Sequence, residues 1–286
     1  MAIRIVTDSS ADLPPHLAER WNVSVIPCYV VVDDHPYRDG VEISPDEFYH
    51  WLASNARLPT TAQPSAVDFQ PVYSELLSQG HQVVSIHVSG KLSGTLNSAE
   101  QARAALGEDA AARIEIVDSQ LASIPLGLLV LAAAQLAEQA GSHLQVADRV
   151  RRDIPLTNCF FMLDTLEYLQ KGGRIGKAQA FIGSVLNVKP ILTIRGGEAH
   201  PVERLRSRER GIRRLVELAN DMRPLRQLAV IHSTEPEQSE GLLGRLSGLV
   251  PSDDVVIARF GPTLGTYIGP KALGIAFTRA GDILKS

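Results

Sequence analysis

The stretch Val83–Ala99 reads VVSIHVSGKLSGTLNSA. Its first residues form a run rich in Val and Ile, which suits a strand buried on both faces of a parallel sheet. The run enters a turn of Ser, Gly and Thr, and Ser93–Asn97 opens a helix expected to end near Gly107. A strand, a short turn and a helix are the repeating unit of an open α/β sheet. A helix start leaves its first N–H groups unpaired and carries partial positive charge. With the Ser93 and Thr95 hydroxyls beside it and Gly94 allowing close approach, this turn can cradle a small anion such as a carboxylate. An ordinary helix start capped by Ser93 has the same spacing, so both readings stand on this stretch alone.

Outward from this unit, the first half keeps alternating. Ile3–Thr7, Val23–Val32, Gln82–Val88 and Arg113–Val117 read as strands. Ser44-Pro45-Asp46-Glu47 is a capping box with Pro at the first helical position, predicting a helix to about Ser54. Ser65–Asp68 opens another, stopped by Gly80. Long helices are expected at Ile124–Ala140 and His143–Arg152. The loop Pro59–Ser65 also opens a helix, so its Thr61 and the Ser93 turn can gather at one sheet edge, where ligands of such sheets bind.

The style changes after Pro155. Asn158–Leu163 reads as a strand, and Asp164–Glu167 opens a short helix. The turn Gly172–Gly176 leads to a helix through Leu186. Pro190–Arg195 and Ala199–Val202 flank Gly196-Gly197 as a hairpin, which implies antiparallel pairing. Further strands are expected at Gln227–Ser233, Val255–Phe260 and Ala272–Phe277. The expectation is a two-domain α/β protein: residues 1–156 a Rossmann-like parallel sheet with helices, residues 157–286 a mixed α+β domain. The basic run Glu203–Arg214 reads as a solvated helix face with internal ion pairs.

Composition narrows the function classes. A net charge of −4 gives no support to a nucleic-acid partner. The longest apolar stretch, Ile124–Ala134, is too short to span a membrane, and no signal segment opens the chain, so a bacterial cytoplasm is expected. Cys28 and Cys159 lie in apolar runs and read as buried, reduced thiols. Gly90-Lys91 and Gly176-Lys177 lack the rest of a P-loop, and no G-x-G-x-x-G occurs. The eight scattered histidines show no ligand spacing, so neither a metal nor a cofactor is expected. A serine hydrolase would draw on Ser9, Ser10, Ser93 or Ser119, with His87 or His232 and Asp8 or Asp118. Without a G-x-S-x-G elbow, Asp8 and Asp118 read more simply as caps of the turns that follow them.

Seven segments then fall in a telling order. They are TDSSADLP (7–14), TTAQPS (60–65), SGKLSGTLNSA (89–99), VDS (117–119), KGGRI (171–175), KPIL (189–192) and GPKALG (269–274). Together they resemble the DegV family of bacterial fatty-acid-binding proteins, across essentially the whole chain. The resemblance implies a non-enzymatic carrier enclosing one long-chain fatty acid between two domains. The carboxylate would be held by Thr61 and Ser93, with Gly94 and Thr95 close by. The bound acid would be presented to a fatty acid kinase through the position of Arg174. An esterase or thioesterase using Ser93 or Ser9 is the alternative. Three positions depart from the pattern. Tyr267 stands where many relatives carry His, Lys271 where Gly is usual, and Ala62 where Ser is common. A phenol at 267 still donates and accepts hydrogen bonds but brings no positive charge.

Overall fold

The computed structural model describes residues 2–55, 57–182 and 188–281. The chain runs through β1 (Ile3–Asp8), α1 (Pro15–Arg20), β2 (Ser24–Ile26), β3 (Tyr29–Val32), β4 (His35–Arg38) and α2 (Pro45–Ser54). It continues with β5 (Thr60–Ala62), α3 (Ala66–Ser78), β6 (Gln82–His87), α4 (Thr95–Ala105), α5 (Glu108–Ala111) and β7 (Ile114–Asp118). Next come α6 (Ile124–Ala137), α7 (His143–Asp153), β8 (Thr157–Met162), α8 (Glu167–Lys171), β9 (Lys189–Arg195) and β10 (Glu198–Leu205). The last elements are α9 (Arg208–Asp221), β11 (Leu225–His232), α10 (Pro236–Arg245), β12 (Val255–Arg259), α11 (Pro262–Ile268) and β13 (Leu273–Arg279).

Among the described residues these strands form three sheets. The first is parallel, in the order β2-β1-β6-β7. The second is mixed, in the order β10-β9-β8-β13-β11-β12, parallel only between β11 and β12. The α/β class and the hairpin across Gly196-Gly197 are thus as the sequence leads one to expect. So are the capping box at Ser44 and the helix start at Ser65, where Asp68 accepts from the Ser65 N–H (2.7 Å).

The third sheet, β4-β3-β5, is antiparallel and was not anticipated. The apolar run Val23–Val32 is not one strand. Pro27 offers no N–H to a ladder, so the chain leaves the parallel sheet after Ile26 and pairs anew as β3. The β3–β4 turn is Asp33-Asp34, both at positive φ (50° and 64°). That is the backbone of a tight hairpin, built without the usual Asn-Gly or Asp-Gly signal. β5 belongs to the same sheet, so Thr61 lies in a strand rather than a loop, opposite Val30.

Two further expectations are corrected. The segment after Gly176 is a 3₁₀ helix over Gly176–Phe181 lying against β10. Gly176 has φ +50°, and a Cβ there would stand 2.8 Å from the Ala199 carbonyl oxygen, so the tight turn needs glycine. The remainder of the expected helix, 183–187, lies outside the described residues. The basic run from Glu203 is split: its first residues close β10, and α9 begins only at Arg208. Its ion pairs are present, with Arg214 bonded to Glu203 (2.9 Å) and Glu217 (3.0 Å).

α6 fixes how the two large sheets meet. Leu126, Leu129 and Val130 pack with Ile5, Val84 and Ile86 of the parallel sheet. Ile124, Leu128 and Leu131 pack with Phe161, Ala229 and Ile231 of the mixed sheet. Over Ile124–Leu131 the helix is covered on both sides and has no solvent face to mark, which explains why its sequence there is apolar all round; the exposed Gln135 marks its last turn. No helix among the described residues is long and apolar enough to cross a membrane. Both cysteines are free and buried.

Candidate functional site

The loops that follow β1, β6 and β7 leave the same edge of the parallel sheet and face the mixed sheet. Between them lies a cavity of about 390 Å³. Its walls are mostly apolar, with Leu92, Ala122, Phe161, Leu192, Ile194 and Phe260 among them. Polar groups converge on it from several loops, and Thr61, Ser93, Arg174 and Tyr267 all line it.

These four come from separate elements. Thr61 is presented by β5, and Tyr267 by the last turn of α11; their hydroxyls are hydrogen-bonded to each other. Ser93 lies just before α4. The N-cap of α4 is Gly94 rather than Ser93. The Ser93 hydroxyl instead shares a hydrogen bond with Thr95 Oγ1 (2.8 Å) and accepts one from the Thr95 N–H (3.3 Å). Thr95 itself is fully buried and does not line the cavity. Gly94 leaves room for the amide end of Gln63, which a Cβ there would displace. Gln63 also lines the cavity.

Arg174 sits at the mouth. Its Nε donates to the Leu92 carbonyl (3.2 Å) and one terminal nitrogen to the Gly172 carbonyl (2.9 Å). Its guanidinium lies 5.1 Å from the centre of the Tyr267 ring, a cation–π distance. Arg174 and Ser93 also border a polar recess of about 440 Å³, together with Lys91, Gly94 and Glu198. Lys271, one of the departures from the family pattern, is exposed and away from the cavity lining. Its φ of +60° explains why glycine suits that position. Ala62 lines the cavity without offering a hydroxyl.

Residues not assigned to the site by the sequence reading also belong to the lining, among them Ser10, Cys28, Ser123 and Thr263. Ser10 and Ser123 occupy the loops after β1 and β7, so the rule that ligands gather at this sheet edge could have found them. Behind them lie buried carboxylates. Asp12 accepts from the Ser123 hydroxyl (2.6 Å), and Asp39 from the Ser9 hydroxyl (2.9 Å). Burial pushes the Asp12 carboxyl well above its usual range and that of Asp39 up to about 6. Burial likewise raises the Cys28 thiol, which keeps it protonated and unreactive.

A Ser–His–Asp array does exist, but not where hydrolysis would need it. His87 Nδ1 bonds Asp8 (2.9 Å), and its Nε2 bonds Ser85 (2.7 Å), which in turn bonds the Tyr73 hydroxyl (2.8 Å). Ser85, His87 and Asp8 have no exposed surface. The Ser9 hydroxyl is given to Asp39. As expected of a cap, Asp8 accepts from the Ser10 N–H (3.1 Å) and Asp118 from the Gln120 N–H (2.8 Å). Among the described residues, no group of three or more His, Cys, Asp and Glu could hold a metal.

Comparison with known proteins agrees with this architecture. The sequence profile of a family described as "Uncharacterised protein, DegV family" matches residues 2–280. A DegV domain-containing protein of Caldanaerobacter subterraneus is 34% identical over 278 residues, which span 96% of this chain and 98% of its own. Protein DegV of Bacillus subtilis is 34% identical over 284 residues, 97% of this chain and 99% of that protein. Among solved structures, a DegV family protein from Thermus thermophilus described by its fatty acid binding superposes with a TM-score of 0.90. It shares 35% identity, over 98% of this chain and 100% of that one. A stearic acid-binding protein from Eubacterium ventriosum gives a TM-score of 0.87 at 26% identity, over 97% of this chain and 98% of its own. The chain belongs to the DegV family.

Proposed function

We propose that this protein binds one long-chain fatty acid in the cavity between its parallel and mixed sheets, as a carrier rather than an enzyme. The observation that carries the reading is the cavity itself: apolar walls, with the hydroxyls of Thr61, Ser93 and Tyr267 at a mouth that also holds Arg174. Solved relatives of the same fold described as fatty-acid-binding support it.

The energetics suit such a ligand. Burying a methylene contributes about 0.8 kcal/mol, so a chain of about 15 carbons offers on the order of 12 kcal/mol before ordering and association costs. The charged end then needs only a few hydrogen bonds, at about 1.5–3 kcal/mol each. Thr61 and Ser93 donate to the carboxylate, and Tyr267 orients Thr61 through their shared bond. Gly94 and Thr95 shape the turn that holds Ser93. Arg174, at the boundary of cavity and outer recess, is the residue through which the acid is presented to a fatty acid kinase for acyl-phosphate formation.

Mass spectrometry of an organic extract of the purified protein tests the reading. A stoichiometric, intact fatty acid is expected, and repeated preparations without extractable lipid would overturn it. Thr61→Ala and Ser93→Ala should retain less lipid. Arg174→Ala should retain it but support less phosphorylation by the kinase; unchanged phosphorylation refutes the presenting role. Turnover of acyl esters that vanishes in Ser93→Ala would mark an esterase instead.

A further inference from the structure

α11 carries Tyr267, yet its own sequence provides no side chain to cap its first turn, because its N-cap is Gly261. Two carboxylates from the other end of the chain fill that role. Asp12 Oδ1 accepts from the Gly261 N–H (2.8 Å), and Asp39 Oδ2 accepts from the Thr263 N–H (3.3 Å). They converge so closely that a Cβ on Gly261 would stand 3.3 Å from Asp12 and 3.4 Å from Asp39. Asp12 is anchored through its other oxygen by Ser123, and Asp39 by Ser9 at the same Oδ2 that takes the Thr263 N–H. Asp39 is further tied down by its own N–H, which donates to the Cys28 carbonyl (2.9 Å). Both side chains are buried.

We propose that Asp12 and Asp39 are positioning residues for the head-group end of the cavity: they hold the first turn of α11, and through it Tyr267, against Thr61. This rests on the fatty-acid reading for its consequence but not for its geometry. The grip has a pH dependence whose sign follows from its surroundings. Asp39 faces Asp12 and Asp8, the Cys28 thiol, and the Tyr49 phenol of α2. The cations nearby are engaged elsewhere. Arg259 pairs with Asp46 (2.7 Å) and gives its Nε to the Ser233 carbonyl (3.0 Å), and Arg38 pairs with Glu42 (3.0 Å). Thr263 of α11 donates to Asp39 and favours its charged form, but burial is the larger effect, so the closed state holds the Asp39 proton more tightly than a state in which α11 has swung away and water reaches the carboxylate. Protonation favours closure, so closure strengthens as pH falls through about 6.

Two measurements test this. In the first, release of preloaded palmitate into excess albumin is timed for wild type and Asp39→Asn. Wild type should release about fourfold more slowly at pH 5.5 than at pH 7.5. Asp39→Asn keeps an acceptor for Thr263 but carries no charge, so its release should be slow at both values. The same pH profile in both proteins overturns the proposal. In the second, amide hydrogen exchange of ligand-free wild type is followed by mass spectrometry and corrected for the intrinsic effect of pH. Protection over 261–268 should rise between pH 7.5 and 5.5 while that of α3 stays constant; no differential change overturns the proposal even if the variant fails to fold. If no palmitate is retained at any pH but exchange responds as stated, the fatty-acid reading fails and the latch survives.

Discussion

Tyr267 joins helix α11 to strand β5 through its bond to Thr61, 206 residues away along the chain. Replacing it with Phe removes that bond while keeping the ring under Arg174. We expect Tyr267→Phe to weaken fatty-acid binding by about 0.5–1.5 kcal/mol, the net value of a neutral hydrogen bond. On the proposed binding mode Thr61 donates to the charged end of the ligand, so Thr61→Ala should cost about 1.5–3 kcal/mol. Calorimetric titration of delipidated protein measures both, and equal effects would show that Thr61 acts only through Tyr267. Gly172 supports the same ring from behind, since a Cβ there would collide with it. Gly172→Ala should therefore weaken binding by displacing Tyr267, while a protein that binds as wild type would show that the ring yields without consequence.

At the scale of elements, α6 is the informative case. Most helices here show one buried stripe; in α7 it consists of Val146, Ala147 and Val150 beneath a charged outer face. α6 instead places Leu129 against the parallel sheet and Leu128 against the mixed one, both almost wholly buried. Leu128→Ala and Leu129→Ala should each destabilise by about 2–5 kcal/mol, read from urea midpoints. An amphipathic helix would show one large and one small effect from such neighbours. Ser44→Ala removes one arm of a capping box on α2 and should cost only about 1 kcal/mol. Caps of this kind were legible because they depend on residues three apart. The small sheet β4-β3-β5 was not, because its hairpin uses Asp33-Asp34 and its third strand is only three residues long.

For the whole molecule, the shared helix argues that the two large sheets unfold together, in a single calorimetric transition despite the sequence's two styles. A fatty acid enclosed between them, as proposed, would bind only the folded chain. Palmitate at about 100 times its dissociation constant should then add about 2.7 kcal/mol to stability; an unchanged midpoint would count against the enclosed site. The buried acids make a further contribution. Folded Asp39 binds its proton more tightly than the unfolded chain does, so its effect on stability declines as pH rises from about 4 to about 6. Exposed acids held below their usual range by partners, such as Asp34 beside Arg57, act in the opposite direction. The difference in urea midpoint between wild type and Asp39→Asn isolates the buried group, and should grow as pH rises from 5 to 7.

By itself the sequence determined the α/β class, most helix starts, the hairpin at Gly196-Gly197, and the polar turn bearing Ser93. All of these are written in spacings of a few residues: the period of a strand, the reach of a cap, the geometry of a turn. Only the tertiary structure decided which turns face one another. It brought Tyr267 to Thr61, placed Ser10, Ser123 and Thr263 on the same cavity, laid α6 between two sheets, and set Asp12 and Asp39 on the first turn of α11. Those juxtapositions arise from the packing of two sheets across one helix, and no local pattern in the chain encodes the distance between residues that such packing closes.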